Sequence, residues 1–167
     1  MVHVEKASEF QLKYKGIYDL DGFYRDMASF FHDRKYILQE SLYKHKIPEI
    51  QFGWEAWRDD SEFKRSKIRI DMWSWNTKEV QVKVGGKERT MYSGRIRMYI
   101  TSELNYDYRN RFNESNIKKL MLKFLMRVVF FYRTLGEWDD LYYETNDLKN
   151  KLKASLNMVA QGGGWND

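Results

Sequence analysis

The sequence predicts an α+β protein, an antiparallel sheet of about five to seven strands with helices on one face. Two observations carry this. Between Ile50 and Ile100 apolar and polar residues alternate with a period of two, and turn residues divide the runs. On either side lie stretches whose apolar residues recur every three or four positions, the mark of helices with one buried stripe.

The elements follow in order. Phe10, Leu12 and Tyr14 alternate with Gln11, Lys13 and Lys15, which predicts a half-buried strand. Asp19 and Asp21 offer N-cap oxygens. Leu20, Phe23, Tyr24, Met27, Phe30 and Phe31 then set a helix from about Leu20 to His32. Tyr36, Leu38 and Leu42 begin a strand of mixed character that ends at Ile47–Pro48. In the next run Ile50, Phe52, Trp54 and Ala56 share one face, opposite Gln51, Gly53, Glu55 and Trp57. Ile68, Ile70 and Met72 alternate with Arg69, Asp71, Trp73 and Trp75, and Val80, Val82 and Val84 lead into Gly85–Gly86. A glycine pair between strands predicts a hairpin, because both residues accept positive φ. A return strand runs near Lys87 to Tyr92, followed by Ile96, Met98 and Ile100 alternating with Arg95, Arg97, Tyr99 and Thr101.

Asn113 or Ser115 caps a second helix, in which Ile117, Leu120, Met121, Phe124, Leu125 and Val128 form a wide apolar stripe. This stripe predicts a helix lying across the sheet with Leu120 and Phe124 in the core beside Ile70 and Met98. Gly136 interrupts it, and Trp138, Leu141, Thr145, Leu148, Leu152 and Leu156 continue as a narrower seam. One domain over residues 1–160 is expected, with 161–167 as a flexible Gly-rich tail tipped by Trp165, a candidate anchor. The resulting order, β-α-β(several)-α-α, resembles the helix-grip arrangement of START-like ligand-binding domains. That resemblance is one of element order, and it implies a carrier of an apolar small ligand.

Composition narrows the function. The 167 residues contain no Cys, which excludes disulfides, thiolate nucleophiles and Cys-ligated zinc. His3, His32 and His45 show no metal-ligand spacing, so no metal or other cofactor is expected. There is no nucleophile elbow, and Gly85–Gly86 joins strand to strand, so it lacks the helix N-terminus that holds a phosphate. The longest apolar cluster, Val128 to Tyr132, is too short to span a bilayer. Without an apolar leader after Met1, a cytoplasmic protein is expected, though a virion-borne one would look the same.

Net charge is +5 and the pI about 9.2, a mild bias towards acidic partners. Aromatic residues reach 17 %, with 6 Trp and 12 Tyr, more than a core of this size needs. The alternation places Arg69, Trp73, Trp75, Arg95, Arg97 and Tyr99, with Trp57, on the sheet face turned away from the helices. Rings beside guanidinium groups make protein interfaces or stack on bases. Cross-strand pairing on a solvated face is the structural alternative. Glu55 and Asp71 share that face and are expected to pair with its arginines rather than act as an acid–base couple. Lys119, Lys123 and Arg127 line one stripe of the second helix, and no acid occurs between Ser115 and Leu135. Pairing with Glu137, Asp139, Asp140, Glu144 and Asp147 would neutralise that stripe. The expected function is a non-catalytic interaction protein or assembly subunit that binds a protein partner or itself. An RNA- or ribosome-associated binder comes second, a START-like carrier third and an enzyme last.

Overall fold

The computed structural model describes residues 3–84, 86–112, 115–129 and 131–156, leaving aside the side chains of 84, 129 and 131–135. The elements are β1 (His3–Tyr18), α1 (Leu20–Asp33), β2 (Ile37–Lys46), β3 (Glu49–Asp59), β4 (Lys64–Val84), β5 (Lys87–Tyr106), α2 (Asn116–Phe124), a π-helical turn (Leu125–Val129) and α3 (Phe131–Ser155). The five strands form one antiparallel sheet in the order β1-β5-β4-β3-β2. β2 to β5 follow one another as a meander, and β1 closes onto β5 from the far end of the sequence.

The period of two decides the facing, as expected. Ile50, Phe52, Trp54 and Ala56 of β3, Ile68, Ile70 and Met72 of β4, and Ile96, Met98 and Ile100 of β5 are all buried on the helix side. α1 starts where the Asp19 carboxylate accepts a hydrogen bond from the Gly22 backbone N–H at 3.0 Å. It buries Leu20, Phe23, Met27, Phe30 and Phe31, and its Phe23 and Tyr24 rings lie 5.9 and 4.8 Å from that of Phe52. α3 lies beside α1, along β1 and β5, and contributes Leu141, Leu148, Leu152 and Leu156 to the same core.

The roles of the two late helical stretches are the reverse of expectation. The narrow seam of α3 packs on the sheet, while the wide stripe of α2 faces solvent. Leu120 and Phe124 are not core residues, and the buried side chain of α2 is Leu122. The apolar stripe marks which side of α2 is hydrophobic, but not whether the chain brings anything to cover it. Gly136 does not break the second stretch; α3 runs through it, and the irregularity falls at the π turn.

The two runs from Ile68 to Val84 belong to one strand of 21 residues, β4, with a shift in pairing between Trp75 and Lys78. The return strand and the run to Ile100 are likewise continuous. β1 reaches β5 only as far as Tyr92 and β3 reaches β4 only as far as Ser74. Beyond them 80–84 and 87–91 extend as a two-stranded ribbon. Gly86 has φ +80° at its turn, and Gly85 lies outside the described residues. At the shift, the Gly94 backbone packs so closely that an added Cβ would meet the Thr77 hydroxyl and the Trp75 carbonyl oxygen, both at 3.1 Å. Tyr18, Ser74 and Thr77 close this junction with a buried chain of hydroxyls, each link 2.8 Å. The expected tail from 161 and its Trp165 lie outside the described residues, as does Asn113.

Candidate functional site

The sheet face opposite the helices carries every residue expected there, and the pairing register divides it into two chemically different halves. In the first half the charges satisfy one another. Arg69 donates to Asp71 through Nε at 2.8 Å and Nη2 at 3.1 Å, and through Nη1 to Glu55 at 3.4 Å. Lys67 Nζ approaches Glu55 at 3.1 Å, and Arg65 holds Asp59 through two bonds of 2.6 and 3.2 Å. These bonds raise the guanidinium pKa of Arg69 and Arg65, and the Arg65 bond lowers that of the Asp59 carboxyl. Glu55 and Asp71 are therefore ion-pair partners of Arg69, as the sequence leads one to expect.

Trp57 and Arg69 belong to this half. Trp57 sits opposite Lys67, whereas Trp73 sits opposite Gln51 on the same β3–β4 ladder. Six residues along a strand is roughly 20 Å, so Trp57 does not join the other indoles. It lines a shallow depression of about 410 Å³ with Glu55, Arg65, Lys67, Glu103 and Tyr108.

The second half is different. Lys44, Gln51, Trp73, Arg97 and Lys13 form one row across β2, β3, β4, β5 and β1, and Trp75, Arg95 and Lys15 lie on the next. Lys13, Lys15, Lys44, Arg95 and Arg97 are all exposed. Among the described residues no carboxylate lies within 4.0 Å of Lys13, Lys15, Arg95 or Arg97, while Lys44 reaches Glu49 at 3.9 Å. Trp73, Trp75 and Tyr99 are half-buried between these cations. The Tyr99 ring meets Trp73 edge-on at 5.8 Å, and the Gln11 side chain donates to the Tyr99 hydroxyl at 2.7 Å. The Arg97 guanidinium stands over the Trp75 ring at 5.5 Å, within cation–π range.

This end of the sheet is thus a platform of held aromatic rings ringed by unneutralised positive charge. Lys13 and Lys15 join the expected Arg95 and Arg97, and Lys44, paired with Glu49, lies at the β2 edge. The alternation shows that Lys13 and Lys15 point away from the core, but only the β1–β5 pairing, across about eighty residues of chain, sets them beside the arginines.

The second basic feature, Lys119, Lys123 and Arg127, is exposed on α2 and the π turn, remote in sequence from the platform. Three of the α3 acids are directed elsewhere, and Asp139 and Asp140 are exposed. Glu144 binds Arg58 at 3.0 Å and Arg34 at 3.6 Å, Asp147 reaches Arg34 at 4.0 Å, and Glu137 reaches Lys64 at 3.3 Å. Among the described residues no cluster of three or more His, Asp or Glu side chains is placed to hold a metal ion. None of the described helices is long and apolar enough to cross a membrane.

No protein-family model matches the chain, and no curated protein matches it. Among solved structures it is similar to an uncharacterised protein from Rhizobium leguminosarum, at 8 % identity over 95 % of this chain and 99 % of that one. The TM-score of that superposition is 0.23, so it carries no argument about fold or function.

Proposed function

We propose that this protein is a non-catalytic binding module that docks an acidic protein surface on the platform of Trp73, Trp75 and Tyr99, with Arg95, Arg97, Lys13 and Lys15 at its rim. One observation carries the reading: exposed cations without carboxylate partners surround indoles that the strand already holds in place. A ring fixed on a strand loses little side-chain entropy when a partner covers it, and indole and guanidinium groups are the commonest anchors of protein interfaces. The unpaired cations supply charge selectivity and speed encounter with an acidic partner.

Single-stranded nucleic acid is the second reading, because cations interleaved with rings also suit a phosphate backbone with splayed bases. It ranks lower on geometry. Arg97 already covers Trp75, so a ring face on which a base would stack is engaged within the chain.

The test is affinity capture from the native host with the unmutated protein and with Trp73→Ala plus Trp75→Ala, at low and high salt. A protein partner retained at high salt and lost in the folded double variant supports the proposal. A partner that the double variant still captures removes the site. Nucleic acid recovered at low salt, with affinity falling steeply as salt rises, replaces the protein reading with the second one.

A further inference from the structure

The solvent side of α2 is an apolar surface that nothing in the described chain covers. Ile117, Leu120, Met121, Phe124 and Val128 are 81, 70, 48, 60 and 56 % exposed. At 100° per residue they fall within one arc of the helix, while the buried Leu122 points the other way. Lys119, Lys123 and Arg127 run along one border of that arc at four-residue steps, all exposed. Twelve residues from Ile117 to Val128 make a ridge about 18 Å long.

The charge pattern selects the occupant. A second copy laid antiparallel on the same ridge would set Lys119, Lys123 and Arg127 against their own counterparts. No acid occurs between Ser115 and Leu135 to offset that repulsion. Of the α3 carboxylates, Glu144 is held by Arg58 and Arg34 and Asp147 lies 4.0 Å from Arg34, while the exposed Asp139 and Asp140 belong to α3 and not to the ridge. A convex ridge also lacks the groove that an apolar peptide helix would fill. An anionic lipid surface matches both halves of the pattern: acyl chains take the apolar arc and headgroup phosphates take the cations.

We propose that α2 and its π turn form a peripheral membrane-binding element that lies flat on an anionic lipid surface. Phe124, Leu120 and Ile117 enter the acyl boundary, and Lys119, Lys123 and Arg127 sit at the phosphate level. The element is separate from the sheet platform and does not depend on what docks there.

The experiment is vesicle flotation of the full chain, with phosphatidylcholine alone and with phosphatidylcholine mixed with phosphatidylglycerol. Flotation is expected only with the mixed vesicles, and it weakens as salt is raised. Leu120→Glu plus Phe124→Glu abolishes it while circular dichroism stays unchanged, since both positions are exposed. Replacing Lys119, Lys123 and Arg127 by Gln lowers partitioning by about fivefold per charge, on the order of a hundredfold together. Trp73→Ala plus Trp75→Ala leaves it unaltered. Failure to float with either vesicle overturns the proposal, as does equal flotation of the Leu120/Phe124 variant. A dimer in sedimentation velocity that this variant dissociates, without vesicle binding, assigns the ridge to self-association instead. Loss of flotation in the Trp73/Trp75 variant moves the lipid contact to the sheet and also overturns it.

Discussion

Glu144 is the position at which one substitution tests how α3 is fastened to the sheet. Its carboxylate accepts Arg58 Nη1 at 3.0 Å and Nη2 at 3.3 Å, and the Tyr36 hydroxyl at 2.9 Å. Arg34 Nε stands 3.6 Å away, and the Arg58 guanidinium lies 4.6 Å from the centre of the Tyr36 ring. One carboxylate thus joins α3, the start of β2 and β3. Its side chain is 15 % exposed and that of Arg58 31 %. Removing one member of a buried ion pair costs roughly 3–5 kcal/mol, because the other charge is stranded. Arg58 is close to a third exposed and keeps Asp60 at 2.8 Å, so the expected loss for Glu144→Ala is smaller, about 2–3 kcal/mol.

For a domain of this size each kcal/mol lowers Tm by about 2–4 °C, which gives a drop of roughly 4–12 °C. The control is Asp59→Ala, which breaks the short but solvent-facing pair with Arg65 and should cost under about 1 kcal/mol. The assay is urea unfolding followed by Trp fluorescence, with a Tyr36→Phe and Glu144→Ala cycle to isolate the hydroxyl bond. Were Glu144→Ala to shift the midpoint no more than Asp59→Ala does, the network would be a surface ornament and the fastening of α3 would rest on its leucines alone.

Three further outcomes are expected. Phe31→Ala empties a fully buried site and should cost about 3–5 kcal/mol, whereas Phe124→Ala on the exposed ridge should stay within about 0.5 kcal/mol; equal shifts in a denaturant titration would refute the assigned roles of α1 and α2. Stability should fall as pH rises above about 10, because burial raises the phenol pKa of Tyr36 and Tyr18: both states are protonated below that pH, and above it the unfolded chain sheds protons that the folded one retains, by up to about 1.4 kcal/mol per pH unit for each phenol. Urea midpoints at increasing alkaline pH measure this slope, and a Tyr36→Phe variant with an equally steep decline would refute the assignment to Tyr36. Leu148→Ala, at a fully buried position of α3, should cost about 2–5 kcal/mol, and a near-neutral melting curve would show that α3 does not pack as described.

Where the sequence was read through alternation it led to the structure, because a strand with one buried face has no freedom about which residues it turns inward. Ile70, Met98 and Phe52 on one side, and Trp73, Arg97 and Tyr99 on the other, follow from parity alone. The Asp19 cap was legible for a similar reason: its oxygen needs only the local backbone. Helix packing was not legible in the same way. α2 and α3 both show apolar stripes, and α2 shows the wider one, yet α3 is the helix in the core. Amphipathicity records that a face avoids water, and the length and direction of the connections decide which helix reaches the sheet. The platform's lysines were hidden behind strand order: β1 could have paired at either edge of the meander, and only pairing with β5 puts Lys13 beside Arg97.

The same pairing explains where the positive charge of this chain is concentrated. Acids and bases are mixed along the sequence, so the net +5 does not itself create a basic surface. The fold creates one by using acids selectively. Glu55 and Asp71 are engaged by Arg69, Asp59 by Arg65, Asp60 by Arg58, and Glu144 by Arg58 and Arg34. These pairs gather on one half of the outer face and at the α3 junction. Arg95, Arg97, Lys13 and Lys15 at one end, and Lys119, Lys123 and Arg127 on α2 and its π turn, are left without such neighbours, each set beside exposed or half-exposed apolar side chains. A surface that only had to stay in solution would gain about 0.5–1 kcal/mol from Arg97 over Trp75 and nothing from an open Phe-Leu ridge. It would lower its free energy by pairing its cations and burying the ridge. Both departures coincide at the same two places, and that coincidence is the physical reason for proposing contacts with other molecules at those places rather than at the salt-bridged remainder.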